Sequence, residues 1–151
     1  MEIKLLQREQ AMVKAGIDFF WKCWGNDSNF SFYEDCILNS LSSDSYLPNF
    51  YLAIQGRDII GSYALLTNDL ISRQDLMPWF ACLYVVEKHR QQGIAARLLN
   101  HGLVEASRLG FEQLYLSTDL EGFYEKKGWK CYAKGYGVAG DPFQIYSKSI
   151  D

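Results

Sequence analysis

The sequence predicts an α/β (α+β) domain in which helices pack on a mixed sheet. Three observations carry that prediction. Residues 50–55 and 59–67 are strand-like runs on either side of the short turn Gly56-Arg57-Asp58, and they read as a hairpin. Residues 79–117 then read strand, helix, strand, a β-α-β unit whose two strands must run parallel. Finally, the 151 residues are 48% hydrophobic and 22% charged, with no repeat, low-complexity stretch or Pro/Ser/Gly-rich linker. That balance suits one domain over residues 1–151 with a sizeable core.

Taken in order, residues 2–6 form a short first strand. A helix over 9–24 places Met12, Ala15, Phe19 and Cys23 at helical spacing, widened by Val13, Phe20 and Trp24, and Gly25 ends it. Ser31-Phe32-Tyr33-Glu34 has the form of a capping box and opens a second helix to about Leu41, with Tyr33, Cys36, Ile37 and Leu41 facing inward. After the hairpin, a polar loop over 68–78 ends in Pro78, and Trp79–Val86 is aromatic and β-branched enough for a strand. The third helix spans 93–108, with Ile94, Leu98, Leu99 and Leu103 on one side. Then follow a strand at Gln113–Ser117, a short helix at Leu120–Lys127 closed by Gly128, and strands at Trp129–Lys134 and Phe143–Lys148. The predicted order is β-α-α-β-β-β-α-β-α-β-β.

Composition narrows the function. Fifteen Lys+Arg against eighteen Asp+Glu leave a net charge of −3, without the basic surplus that a general reader of phosphate backbones needs, so no nucleic-acid partner is expected. Cys23, Cys36, Cys82 and Cys131 are widely spaced with no C-x-x-C pair, which points to free buried thiols and to no metal site. The first nine residues carry charges where a signal peptide needs an apolar run. The longest uncharged apolar stretch, Met77–Val86, is too short to span a bilayer. A cytoplasmic location with no membrane partner is therefore the expectation.

The chemistry is concentrated in Leu83-Tyr84-Val85-Val86-Glu87-Lys88-His89-Arg90-Gln91-Gln92-Gly93-Ile94-Ala95-Ala96-Arg97. A strand enters a polar turn, and the turn opens a helix at Gly93. The first turn of a helix has unpaired N–H groups and the positive end of the dipole. Gly93 lets a bulky anion approach the backbone, Ala95 keeps the next position small, and Arg90 adds a positive charge. Such a cradle suits a pyrophosphate. The pattern Arg/Gln-x-x-Gly-x-Gly/Ala arises by chance in roughly one chain in ten of this length, so the strand before it and the helix after it carry the specificity. It lacks the Gly-Lys-Ser/Thr of a P-loop and the three glycines of a dinucleotide fingerprint.

This stretch resembles the acetyl-CoA-binding motif of the GCN5-related N-acetyltransferase (GNAT) family. Leu114-Tyr115-Leu116-Ser117-Thr118 followed by Gly122-Phe123-Tyr124-Glu125-Lys126-Lys127-Gly128-Trp129 resembles the family's next strand and its Phe-Tyr-Glu-Lys-x-Gly-Phe/Trp segment. The motif match covers about residues 79–129, and the element order extends it over nearly the whole chain. The resemblance implies a mixed, mostly antiparallel seven-stranded sheet with helices on both faces, and acetyl-CoA as cosubstrate. It further implies that the backbone of Leu83, Tyr84 and Val85 pairs with the pantetheine arm. The amides of Arg90, Gln91, Gln92, Gly93, Ile94 and Ala95 would hold the pyrophosphate. Tyr124 matches the family's tyrosine beside the CoA sulfur, where a phenol of pKa about 10 can serve a leaving thiolate.

Two departures stand out. Trp79 occupies the position of the glutamate that histone-type members use as a base, and Ser117-Thr118-Asp119 replaces the asparagine common after the fifth strand. Asp69, Asp75 and Glu34 could act as bases, but each reads first as a solvated surface charge, and His89 and His101 read as structural. The expected activity is acetyl transfer to a primary amine of a small molecule by direct attack in a ternary complex. A protein N-terminus or lysine as acceptor, or a non-catalytic acyl-CoA-binding module, are the alternatives. Trp21, Trp24, Phe30, Phe32, Tyr33 and Trp79 are candidates for an aromatic acceptor wall that would hold a cationic amine. Residues 129–148 are aromatic enough to permit a homodimer.

Overall fold

A computed structural model describes residues 1–151. The strands are β1 (Glu2–Leu5), β2 (Asn49–Gln55), β3 (Asp58–Leu66), β4 (Trp79–Val85), β5 (Gln113–Thr118), β6 (Lys130–Tyr136) and β7 (Pro142–Ser149). The helices are α1 (Val13–Trp24), α2 (Phe30–Ser40) and α3 (Ile94–Arg108). The strands form one seven-stranded sheet ordered β1-β2-β3-β4-β5-β7-β6. β4 and β5 are parallel, whereas β1–β2, β5–β7 and β6–β7 are antiparallel, so the sheet is mixed and mostly antiparallel as expected. No helix is long and apolar enough to cross a membrane.

The chain forms two compact units, Met1–Ala64 with Cys82–Leu98, and Leu65–Ala81 with Leu99–Asp151. In the first, Leu6, Ile17, Phe20, Phe50 and Leu52 are buried, Phe20 meets Phe50 edge to face at 5.3 Å, and Tyr51 stacks on Tyr63 at 4.5 Å. In the second, Ile71, Leu76, Trp79 and Ile145 form a buried cluster flanked by Leu66, Tyr115 and Phe143.

Several local expectations need correction. The fully buried residues of α1 are Gly16, Ile17 and Phe20, of which only Phe20 belongs to the expected face; Met12, Val13, Phe19 and Cys23 are half-buried, and Ala15 and Trp24 are exposed. Gly16 is buried because Leu6 packs on it: a β-carbon there would lie 2.9 Å from Leu6 Cδ2, so the Leu6 side chain occupies the space glycine leaves. Gly25 does end α1, but in an extended conformation (φ −94°). Close approach requires glycine here, since a β-carbon would lie 2.4 Å from Trp21 Cδ1. Ser31 caps nothing. α2 starts two residues earlier, after Asn29, whose Oδ1 instead accepts the Asn26 N–H at 2.7 Å and closes the preceding turn.

The helix predicted over Leu120–Lys127 shrinks to a single 3-10 turn, Glu125–Lys127. Gly122 at φ +81° breaks the segment before it, and Gly128 in the left-handed region (φ +82°) ends it. All four cysteines are free, yet only Cys23, Cys36 and Cys82 are half-buried, while Cys131 on β6 is exposed.

Candidate functional site

In the first unit the cradle begins with an irregular strand. Cys82 takes φ +55°, a left-handed conformation inside β4 that breaks its regular pleat. The Cys82 carbonyl thereby turned out of line accepts the Ser62 hydroxyl at 3.0 Å. Gly61 faces the same strand. A β-carbon on it would lie 2.8 Å from the Tyr84 carbonyl oxygen, so only glycine permits this approach. The Val86 N–H donates to Ile60 O at 2.8 Å, which returns the chain to regular pairing. Leu83 and Tyr84 are half-buried and Val85 is buried, with the Tyr84 ring edge to face on Phe19 at 6.0 Å.

A 3-10 turn, Glu87–His89, leads from β4 to the helix start. Gln91 at φ +61° and Gly93 at φ +78° flank Gln92, and such alternation turns successive N–H groups toward one concavity that accepts anions. Nothing lies within 4 Å of the place a β-carbon on Gly93 would take, so the backbone is open to a ligand. The first intrahelical bond runs from the Arg97 N–H to Gly93 O at 3.1 Å, leaving the first-turn amides of α3 without helical acceptors. These features fit a pyrophosphate. Arg90 differs from the expectation: its amide donates to Glu87 O at 3.1 Å, so its backbone is already engaged. Its Nε donates to Val85 O at 2.8 Å, and its guanidinium sits 5.4 Å over the Tyr84 ring, which ties the turn to β4.

In the second unit β4 and β5 pair at Trp79 and Tyr115, and the Tyr115 N–H also donates to Pro78 O at 3.1 Å. Along β5, Leu114, Leu116 and Thr118 are buried while Tyr115 and Ser117 face the other way. The Thr118 hydroxyl accepts the Leu120 N–H at 3.0 Å and starts the loop that delivers Tyr124. Tyr124 is 8% exposed and packed among Phe123, Trp129 and Tyr146. Burial raises its pKa, so the phenol stays protonated and can donate. Tyr146, which the sequence did not single out, donates its hydroxyl to Glu125 Oε1. That bond pushes the Tyr146 phenol up to about 12 and lowers the Glu125 carboxyl.

Trp79 does not line a pocket. It is fully buried and its Nε1 donates to Leu76 O at 2.7 Å, which makes it core. Trp21 donates its Nε1 to Asn26 O and meets Phe30 edge to face, whereas Trp24 and Phe32 lie on the surface. Of the carboxylates, Asp75 is bound by the Arg73 fork at 2.9 and 2.7 Å and is exposed, as a surface charge should be. Asp69 is not such a charge. It is half-buried beside the Ser117 hydroxyl, and burial pushes its carboxyl up to about 6 against the smaller opposing effect of Ser117.

A family model described as an acetyltransferase (GNAT) domain matches residues 47–131, more than half of the chain. The chain belongs to the GNAT acetyltransferase family. A GNAT protein of this kind is an enzyme that uses acetyl-CoA as donor. Solved structures agree on the fold over its full length. An aminoglycoside 6'-N-acetyltransferase complexed with coenzyme A has a TM-score of 0.73 at 18% identity, covering 100% of this chain and 98% of that one. An aminoglycoside 6'-acetyltransferase type Ii gives 0.74 at 20% identity with the same coverage. A GNAT acetyltransferase from Elizabethkingia anophelis with acetyl-CoA bound gives 0.66 at 16%, covering 98% and 97%. No curated protein matches this GNAT chain by sequence.

Proposed function

We propose that residues 1–151 act as one N-acetyltransferase domain that moves the acetyl group of acetyl-CoA to a primary amine of a small molecule. Attack is direct, in a ternary complex. The observation that carries the donor side is the open backbone at Gly93, at φ +78° with nothing within 4 Å of where a β-carbon would sit. Amides from Gln91 to Ala95 hold the pyrophosphate, and Arg90 stiffens the turn and adds charge. Leu83, Tyr84 and Val85 offer their peptide groups to the pantetheine arm, as an added strand would receive them.

Acetyl-CoA supplies an activated thioester whose carbonyl carbon is open to an amine. Tyr124, a phenol protonated at neutral pH in any case and made harder to ionise by burial, donates to the departing sulfur. Amides of the irregular stretch of β4 face the growing negative charge on the carbonyl oxygen. A small-molecule acceptor is supported by the similar structures described as aminoglycoside acetyltransferases. A protein acceptor and a non-catalytic acyl-CoA-binding module are the competing readings. The second gains something from Trp79, a core residue where histone-type members place a glutamate.

The test is a panel of small amines, N-terminal peptides and lysine peptides with acetyl-CoA, followed by release of free thiol. Amine-dependent thiol release with small amines supports the proposal. Thermal stabilisation by acetyl-CoA without any turnover favours the module, and turnover with peptides alone favours a protein acceptor.

A further inference from the structure

The segment that carries Tyr124 has little regular structure of its own. It is one 3-10 turn, Glu125–Lys127, set between Gly122 at φ +81° and Gly128 at φ +82°. Tyr124 O accepts the Lys127 and Trp129 N–H groups at 3.0 and 3.1 Å, and Glu125 O accepts the Gly128 N–H at 3.1 Å. Such bonds shape the turn but do not fix it to the sheet, and 3-10 geometry is weaker than α-helical.

The anchors come from β7. Tyr146 donates its hydroxyl to Glu125 Oε1 at 2.5 Å, and Lys148 Nζ donates to Lys127 O at 2.8 Å. The two residues are two apart on one strand and therefore share a face. Tyr146 pairs with Leu116 and Lys148 with Leu114, so this is the face on which β5 buries Leu114, Leu116 and Thr118. Thr118 accepts the Leu120 N–H at 3.0 Å and ties down the other end of the loop. Gly128 leaves room for Lys148, since a β-carbon there would lie 3.3 Å from its Nζ.

Tyr146 does two things at once. Its ring lies 6.1 Å from the Tyr124 ring, and its hydroxyl holds the residue that follows Tyr124 in the chain. A phenylalanine would fill the same buried space, so the hydroxyl matters through Glu125. Removing it leaves behind only an exposed carboxylate, which water can satisfy, so the loss to the fold is small. The loss to Tyr124 is larger, because a proton donor works only within hydrogen-bond reach, and a misplacement of about 1 Å can cost a hundredfold in rate. We propose that Tyr146 and Lys148 are positioning residues, which act through the Glu125–Lys127 turn to hold the Tyr124 hydroxyl at the donor's sulfur. The proposal rests on the acetyltransferase reading and on Tyr124 as the group beside that sulfur.

The experiment follows thiol release with a saturating amine and reads kcat and the KM for acetyl-CoA in wild type and variants. Tyr146→Phe and Lys148→Met should each lower kcat by roughly 10–10², with KM within about twofold of wild type. Glu125→Ala breaks the same bond from its exposed end and should match Tyr146→Phe, whereas Glu125→Gln keeps an acceptor and should recover part of the rate. The deciding readout is the combination with Tyr124→Phe. Once that hydroxyl is gone its placement no longer matters, so adding Tyr146→Phe or Lys148→Met should cost nothing further in kcat. The positioning role alone is overturned by an equal loss in both backgrounds, by a change in KM alone, or by wild-type kcat in Tyr146→Phe and Glu125→Ala. An unchanged kcat in Tyr124→Phe overturns the place of Tyr124 at the sulfur, and the positioning role with it. No thiol release from wild type with any amine overturns the acetyltransferase reading itself.

Discussion

The Gln91–Ala95 cradle in one unit and the side chains of Tyr124 and Asp69 in the other are built from different materials. The cradle is backbone: two residues at positive φ, an open glycine and a helix start. Little of it depends on which side chains surround it, and the pull proposed for it on a phosphate would come from N–H groups that every sequence has. The second region is all side chain. Its phenol and carboxyl have ordinary pKa values in water, and burial moves both upward. A backbone site is set by local conformation and a side-chain site by tertiary packing, so the two should fail differently under mutation.

The largest effect is expected on the side-chain region. Tyr124→Phe keeps the ring against Trp129 and Tyr146 and removes only the hydroxyl. It should lower kcat by roughly 10²–10⁴ while acetyl-CoA affinity stays close to wild type. Steady-state kinetics with a saturating amine decide this, and an unchanged kcat would leave Tyr124 as packing.

Next comes a stability effect of the opposite sign to most mutations. The Asp69 carboxyl has a folded pKa of about 6 against an ordinary 3.8, so the folded state binds more protons between those values. Stability contributed by this group is then lost as pH rises from about 4 to 6, by up to about 3 kcal/mol. Asp69→Asn should remove that loss, leaving the variant more stable than wild type at pH 8 and no more stable at pH 4. Urea midpoints at the two pH values measure it, and an equal shift at both would show that Asp69 is not titrating there.

Gly93→Asp should weaken acetyl-CoA binding by at least tenfold, about 1.4 kcal/mol, because it puts an anion in the open space and a side chain at φ +78°. The smallest change concerns the irregular strand. Ser62→Ala removes the donor to the Cys82 carbonyl, and by calorimetry should cost stability of about 0.5–1.5 kcal/mol, the net worth of one hydrogen bond, with under tenfold change in affinity.

The same contrast explains what can be read from the sequence. The element order and the glycine-opened start of α3 are legible because strands, helix starts and glycine turns leave local patterns, and the Gly93 segment combines all three. Ser31 misleads because Ser-x-x-Glu has the form of a cap, whereas Asn29 ends the preceding turn and fixes the helix start. Gly16 escapes a reading of apolar spacing because it has no side chain, and its burial comes from the packing of Leu6 on it. Asp69 and Asp75 are the clearest case. Both are aspartates in one polar loop, and only the fold buries one beside Ser117 and gives the other to Arg73. Trp79 reads equally well as pocket wall or core, and its bond to the Leu76 carbonyl in a sealed cluster makes it core.

The division between a backbone cradle for the phosphates and side chains for the chemistry is tested most directly by titrating wild type and Gly93→Asp with two donors. One is acetyl-CoA, and the other is S-acetylpantetheine, which has the thioester and the arm but no pyrophosphate. If the division holds, Gly93→Asp loses at least tenfold in affinity for acetyl-CoA and nothing for S-acetylpantetheine. Equal losses for both donors, or none for acetyl-CoA, would contradict it.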